Sequence, residues 1–456
     1  MSDSLEINSL VTNESFNQDL MSFSDAQWEW ISDYNNGNYS SNQINFQTQQ
    51  LVSKWVDYYN GYLAIPVKIT SSGTAYTQAT EICPKALVSS FLTGLLLQTA
   101  SGQTLVNDTN LQFINHIRSA VEMTVQEYDS VGPELFWYKD EVELQSATTG
   151  VKNPIADSDK NLGFLKRIVA FKETLKWNDS DKSFTTVLSI PLRFIHDVFM
   201  QMKFPLINIS FNMSFTFSGA GQDTYFRPLM VESGAAPVVT IYPGAQFPGT
   251  QTTLNACRMY FRSVKFSPSL AQKLAQELKN GLSKELNFRI SDFYSYNNGG
   301  KVDSSTISHL ISPSTIAPIR CWVVAPDNGS LTSSNGLANY VGLFSNINML
   351  VNNTRYYSND LATSRDCWEV VKDQFLDKNE CVISFKDFIT SYGVHCLDLS
   401  RMQSRLRDSN AAVSLQFQGQ LVTDDVNVFF IVERKEKIVF KMSSSDCSVV
   451  VGLNSS

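Results

Sequence analysis

Between Ile207 and Phe217 the chain reads "INISFNMSFTF", and it alternates at every step. Ile207, Ile209, Phe211, Met213, Phe215 and Phe217 are apolar, while Asn208, Ser210, Asn212, Ser214 and Thr216 are polar. A period of two sustained this long marks a strand with one face in a core and the other turned outward. Directly upstream, "RFIHDVFMQM" has helical character and is bracketed by Pro191 and Pro205. Proline fixes its own φ and lacks an N–H, so both are natural ends for a short element. A small helix feeding a one-faced strand fits antiparallel β architecture better than alternating βαβ units.

At 456 residues the chain exceeds one ordinary core, which sets two domains as the expectation. Only 18% of residues are charged, and Asn, Ser, Thr and aromatic residues are frequent, a balance that favours strands and turns over long helices. The net charge of −8 argues against a general nucleic-acid binder, which needs clustered Lys and Arg to meet phosphates. The N-terminus, "MSDSLEINSL", has neither a basic start nor an apolar segment, so the expectation is a soluble protein made in the cytoplasm without a signal peptide. No stretch approaches the roughly 18 to 20 apolar residues of a membrane helix. The longest candidate, Ala86 to Ala100, is interrupted by Ser, Thr and Gly. Seven cysteines (Cys83, Cys257, Cys321, Cys367, Cys381, Cys396 and Cys447) are widely spread and odd in number, which reads as reduced thiols packed as small hydrophobes.

Residues 1–44 are polar and rich in Asn and Ser, and are expected to form a partly flexible N-terminal arm. They also hold Trp28, Trp30 and Tyr34, rings that a mere linker does not need, so part of this arm is expected to dock. From Ile44, "INFQTQQLVSKWVDYYNGYLAIPVKIT" reads as two strands with "YYNGY" as an Asn-Gly turn. "PKALVSSFLTGLLLQ" is ambiguous between helix and buried strand. "TNLQFINHIRSAVEM" predicts a helix capped by Thr109 or Asn110, with Leu111, Ile114, Ile117 and Val121 on one face. "RIVAFKETLKWNDSDKSFTTVLSIPL" reads as two strands joined by a polar turn. The Gly- and Pro-rich stretch after Thr216 places a domain junction close to residue 250, giving a first unit over 45–250 and a second over 251–456. Beyond it, "CRMYFRSVKF" is a strand. "SPSLAQKLAQELKNG" is the clearest helix: Ser267 caps it, Pro268 suits its first position, Gly281 stops it, and Leu270, Leu274 and Leu278 stack on one face. "LNFRISDFYSY", "PIRCWVVAP", "ECVISFKDFI", "AAVSLQFQGQL", "VNVFFIVERKEKIVFKM" and "SVVVGL" read as further strands. The predicted fold class is all-β: two consecutive eight-stranded antiparallel jelly-roll sandwiches with short inserted helices.

Chemistry-bearing patterns are few. His116, His196, His309 and His395 are the four histidines, and none belongs to an H-E-x-x-H pair. His196 and Asp197 are adjacent, but neighbours on a helix point apart and make no charge relay, so His196 reads as a partly buried or interface residue. Neither a G-x-S-x-G elbow nor a phosphate loop occurs, and "SGAGQ" is a turn. Cys367, Cys381, His395 and Cys396 are spaced too widely for a zinc knuckle and lack a C-x-x-C anchor. Acidic clusters such as Asp424 and Asp425 read as solvated turns, although a paired-carboxylate glycosidase stays open. Arg401, Arg405 and Arg407 read as a solvated face or as subunit salt bridges. The N-x-[ST] triplets at Asn208 and Asn212 sit inside the strand, where glycosylation is not indicated. No catalytic, cofactor-binding or metal-ligating residue is therefore assigned, and no cofactor is expected. A chain of sandwiches with stray aromatics in loops and tail suits a protein that buries surface against copies of itself.

"SIPLRFIHDVFMQMKFPLINISFNMSFTF" resembles a segment of double jelly-roll major capsid proteins, where a strand ending I-P-L leads through a short helix and a turn into a long strand. "SSNQINFQTQQLVSKWVDYYNGYLAIPVKI" is similar to the first strands of those proteins in polinton-like viruses, virophages and Maverick-type elements. "ISPSTIAPIRCWVVAP" resembles a strand entry in their second domain. The resemblance implies a structural major capsid protein of a DNA virus, without catalysis, that forms homotrimeric pseudo-hexameric capsomers of an icosahedral shell. Implied partners are the chain itself, neighbouring capsomers, and penton and minor capsid proteins, with no specific nucleic-acid binding. The implied location is the virion. A carbohydrate-binding or carbohydrate-cleaving β-sandwich protein is the alternative, which aromatic loops and acidic turns fit. A third reading, a minor capsid or fibre protein, calls for one sandwich or a repetitive shaft, and no short repeat is visible.

Overall fold

The computed structural model describes residues 23–73, 75–84, 86–140, 162–218, 226–228, 237–242, 256–326, 342–375, 381–400 and 412–452. The junction near residue 250 and the Arg401, Arg405, Arg407 run lie outside them.

Two four-stranded orders recur. In the N-terminal half, β1 (Phe23–Ser32), β12 (Arg258–Phe266), β3 (Trp55–Ser71) and β8 (Ser183–Pro191) form one sheet in that order, extended by β7 (Lys176–Asn178) and β11 (Pro237–Ile241). The sheet β2 (Gln43–Gln47), β9 (Phe211–Phe217), β5 (Leu92–Thr99) and β6 (Thr104–Thr109) is the second layer, and β4 (Ile82–Pro84) with β10 (Phe226–Pro228) makes a small ribbon. In the C-terminal half one sheet is β13 (Leu282–Ser295), β20 (Phe429–Met442), β15 (Pro318–Val324) and β18 (Val394–Asp398), with β21 (Cys447–Gly452) added beside β20. The other is β14 (Ser305–Ile316), β19 (Ala412–Leu421), β16 (Phe344–Val351) and β17 (Thr354–Arg355).

Counting the eight principal strands of each half along the chain, one sheet always runs 1-8-3-6 and the other 2-7-4-5. Every ladder is antiparallel, and each half is a jelly roll, as the alternating grammar predicts. β1 lies within residues 1–44 and β12 lies beyond residue 250, yet they pair with each other from Phe23↔Phe266 to Ser32↔Arg258. They are the first and eighth strands of the same unit.

The opening alternation holds where it matters: Phe211, Met213, Phe215 and Phe217 are buried and Asn212, Ser214 and Thr216 are not. The strand itself is shorter than the pattern. Asn208 takes a left-handed φ of 58°, which asparagine tolerates better than most residues and which breaks the pleat before Phe211.

Three sequence expectations are corrected. "YYNGY" is no turn, because β3 runs unbroken through it; its pairing with β12 slips between Tyr260↔Tyr62 and Arg262↔Asp57, a bulge. Gly61 is needed there for space, since a Cβ would come within 2.9 Å of Leu192 Cδ1. "RIVAFK" is helical, within Leu162–Lys172, despite its β-branched residues, because tertiary packing overrides so weak a propensity. "FKDFIT" is also a helix, started by a capping box in which Ser384 and Asp387 satisfy each other's backbone N–H groups. The helices Leu111–Val121 and Pro268–Asn280 form where predicted, although neither Asn110 nor Ser267 caps with its side chain; the second buries Leu270 and Leu274 against Val264 and Phe266, and Leu278 joins the main core.

One contiguous apolar core runs from Ile31 to Met442, so the two sandwich interiors are joined through packed residues between them.

Candidate functional site

The richest polar chemistry lies where the two jelly rolls meet. In the first unit, strands five and six (β6 and β8) are joined by a helical insertion containing Leu111–Val121, Val125–Ser130 and Leu162–Lys172. Strands six and seven are joined through the short helix Asp197–Gln201. Both connections press on the 1-8-3-6 sheet of the second unit: Phe113 stacks on Phe293 at 5.4 Å and meets Phe429 at 5.3 Å. Deeper in, Phe204 and Phe211 pack edge-on against Phe440.

Six charged side chains close this junction. From the first unit come Arg118, Glu122 and Asp197; from the second come Arg289 on β13, Arg320 on β15 and Glu433 on β20. Glu433 is fully buried and takes Arg118 at 2.7 Å, the Arg320 guanidinium, and the Trp322 indole N–H at 3.2 Å. Arg289 reaches Glu122 and Asp197, donating to the latter at 3.0 Å, and its backbone N–H donates to Asp197 at 2.8 Å. Arg320 also bonds Glu122. Burial alone would raise the carboxyl pKa values of Glu433, Glu122 and Asp197. Arg320 with Arg118, Arg320 with Arg289, and Arg289 with Arg118 respectively outweigh it, lowering Glu122 and holding Glu433 and Asp197 well below the usual range. Three cations and three anions balance, so the network desolvates charge without leaving any unpaired.

Further polar contacts extend the seam. The Asp140 backbone N–H donates to Tyr392 Oη at 2.9 Å, Lys139 pairs with Asp387 at 3.0 Å, and Asn208 Nδ2 donates to the Ser443 carbonyl at 2.7 Å. His116 is sandwiched, its ring stacked on Tyr392 and edge-on to Trp137. Burial, with Arg167 adding repulsion, pushes His116 down to about 3.

His196 and Asp197 both sit at this seam and do separate work. His196 Nδ1 accepts the Val198 N–H at 3.1 Å, capping its helix, so its proton lies on Nε2, which donates to Asp108 at 2.9 Å. Asp108 in turn accepts the Ser291 N–H of β13 at 3.2 Å. The pair thus reaches the second unit, as expected of an interface histidine, while Asp197 turns to Arg289. A cavity of about 50 Å³ beside them is lined by Arg118, Glu122, His196 and Asp197 among others, and those four already engage partners. The arrangement fixes two bodies together; it offers no poised base beside a nucleophile.

The other sequence candidates scatter. His395 accepts the Phe344 N–H on Nε2 at 3.3 Å and donates from Nδ1 to Gly393 O at 3.1 Å. Burial lowers its pKa to about 4. Cys396 is buried and forms, with Trp322, part of the sheet's cross-strand pairing. Among the described residues no three His, Cys, Asp or Glu side chains gather as a metal site. Asp424 and Asp425 are turn residues, accepting the Ser304 N–H and pairing with Lys301. Sequence reasoning missed the six-residue network, whose members are spread from Arg118 to Glu433 with no fixed spacing. The available signal was a charge inside an apolar strand: Arg320 in "PIRCWVV" and Glu433 in "FFIVERK".

No family model matches the chain, and no curated protein matches its sequence. Solved structures do. A chain in the electron cryo-microscopy structure of the Sputnik virophage aligns with TM-score 0.65 and 12% identity, over 95% of this chain and 89% of that one. The mavirus major capsid protein aligns with TM-score 0.54 and 10% identity, over 95% and 91%. The Faustovirus major capsid protein aligns with TM-score 0.51 and 9% identity, over 91% and 90%. At such identities the likeness shows the fold, two consecutive jelly rolls along nearly the whole chain.

Proposed function

We propose that this chain, built on the double jelly-roll fold of virophage major capsid proteins, is itself a major capsid protein: a structural tile without catalytic activity that works in the virion. One observation carries the reading. Two units of identical strand order are clamped side by side by a buried, charge-balanced network, which makes one rigid body with two similar lobes. Three such bodies close into a trimer with six similar lobes, the shape that tiles a shell of hexagonal units. The unit division follows the strand order, with the first jelly roll spanning β1 to β12 and the second β13 to β20. Penton and minor capsid proteins are the further partners of such a shell.

Native mass spectrometry and electron microscopy of the purified chain test this. Trimers, and shells or sheets of trimers under some salt or pH, are expected. A protein that stays monomeric across all conditions overturns the reading, as does hydrolysis of a polysaccharide abolished by one Asp or Glu substitution.

A further inference from the structure

Each 1-8-3-6 sheet carries an apolar row across its outer face, and among the described residues only one of the two rows is covered by other parts of the chain. In the second unit Phe293, Ile431, Trp322 and Cys396 stand in register across β13, β20, β15 and β18. The first unit's insertion lies over this end of the sheet, Phe113 on Phe293, and Trp322 and Ile431 are 0% and 1% exposed. In the first unit Trp30, Tyr260, Tyr62 and Pro191 stand in register across β1, β12, β3 and β8. Tyr62 stacks flat on Tyr260 at 4.7 Å and Trp28 sits edge-on to Tyr62 at 5.5 Å. Trp28 and Trp30 nevertheless remain 54% and 47% exposed.

We propose that the Trp30–Tyr260–Tyr62–Pro191 row is a subunit contact, occupied by the helical insertion of the second unit of another copy of this chain. This rests on the capsid reading and names the surface through which it operates. The insertion in question, with helices Ser364–Lys372 and Phe385–Thr390, joins strands five and six of the second unit, the same place the covering insertion holds in the first. Each chain therefore has two sheet faces and two insertions. The first insertion meets the second face internally and also holds one side of the second insertion, through Lys139 on Asp387 and the Asp140 N–H on Tyr392, which leaves the first face and the exposed side of the second insertion around Ile389 over. Joining these repeats the internal contact between chains, and a head-to-tail contact of that kind makes a ring when the rotation between copies closes.

The leftover surfaces match in chemistry. The second insertion exposes Ile389 and the acids Asp366, held in a capping box with Thr363, and Glu369, paired with the exposed Arg365 at 2.7 Å, beside the exposed Lys386. The first face has the exposed Arg262 next to its aromatic row, and Arg258 stacked on Trp30 at 4.0 Å. Aromatic anchors rimmed by charges of the opposite sign are what a specific contact between subunits requires.

The test uses the full chain at a series of concentrations, read by native mass spectrometry, with near-ultraviolet circular dichroism to confirm folding. Trp30→Glu with Tyr62→Glu, and separately Ile389→Glu on the opposite surface, are each expected to weaken association more than tenfold while the monomer stays folded. A mixture of a Trp28→Cys chain and an Ile389→Cys chain is expected to give a disulfide between the two chains. Folded variants that associate as wild type, with no crosslink in the mixture, overturn this surface and leave the capsid reading standing. A wild type that never associates overturns the capsid reading itself.

Discussion

The helices Leu111–Val121 and Ser364–Lys372 occupy the same topological place, between strands five and six of their jelly rolls, and differ in what surrounds them. The first buries nine of its residues, including Asn115, His116 and Ser119. The second buries Cys367, Trp368 and Val371 and leaves Arg365, Asp366 and Glu369 in water. A helix buried all round has structure on both sides, whereas one with a single apolar stripe has structure on one. The first helix is squeezed between its own sandwich and the second sheet. The second rests on its own sandwich and on the neighbouring helix Phe385–Thr390, Trp368 meeting Phe388 at 5.5 Å. The same winding has thus been used once as an internal joint and once as an outward surface.

Breaking the joint produces the largest effect. Glu433→Ala leaves Arg118, Arg320 and the Trp322 N–H without their common acceptor, and about 3–5 kcal/mol of stability is expected to go, measured by denaturant unfolding. The loss falls on the contact between the units, so limited proteolysis is expected to cut between residues 267 and 281 sooner in the variant.

Acid sharpens the same contrast. His116, on the buried helix, and His395, under the second insertion beside Phe388, are held neutral by burial, at about 3 and about 4. The unfolded chain takes up protons below about pH 6.5, which the folded chain refuses. Their contribution is complete above pH 6.5 and declines as the pH falls, levelling near 4 for His395 and near 3 for His116. The windows correspond to about 5 kcal/mol for His116 and about 3 kcal/mol for His395. Melting temperature recorded from pH 8 to pH 3 checks this, and His395→Gln is expected to flatten the upper part of the curve. The carboxylates of the joint act in the same direction at still lower pH, since their depressed pKa values contribute stability above about pH 4 that is lost further down.

On the second insertion, Ser384→Ala removes one half of a capping box and is expected to cost about 1 kcal/mol, read by thermal unfolding. The smallest effect is expected for Trp30→Ala, about 0.5 kcal/mol in the monomer, because the ring is half exposed. If Trp30→Ala were to destabilise the monomer as much as Glu433→Ala, the first face would be an internal contact too, and the contrast between the two regions would fail.

Much of the architecture was legible because strand periodicity is local. β9, β13, β19 and β20 and the helix Pro268–Asn280 announce themselves within a dozen residues. β1 was hidden because its outer face carries large aromatics where an ordinary surface strand carries polar residues, and because its partner strand lies more than two hundred residues later, Ser32 facing Arg258. The joint was hidden for the same reason: Arg118 and Glu433 are 315 positions apart. Spacing motifs report groups that share one helix or loop, whereas this site is assembled by packing between domains. His196 shows the intermediate case, where the helix geometry excluded a relay with Asp197 but did not reveal Asp108 as its partner.

The pairing of β1 with β12 also sets a timetable. As the chain emerges from a ribosome, Phe23–Ser32 is among the first described segments to appear and Arg258–Phe266 comes more than two hundred residues afterwards. At roughly 5–20 residues per second that interval is about 10–50 s, during which the tryptophan-bearing edge of the first sheet has nothing to close against. The first unit therefore completes late, and its exposed strand is a standing invitation to pair with a sister chain on a crowded polysome.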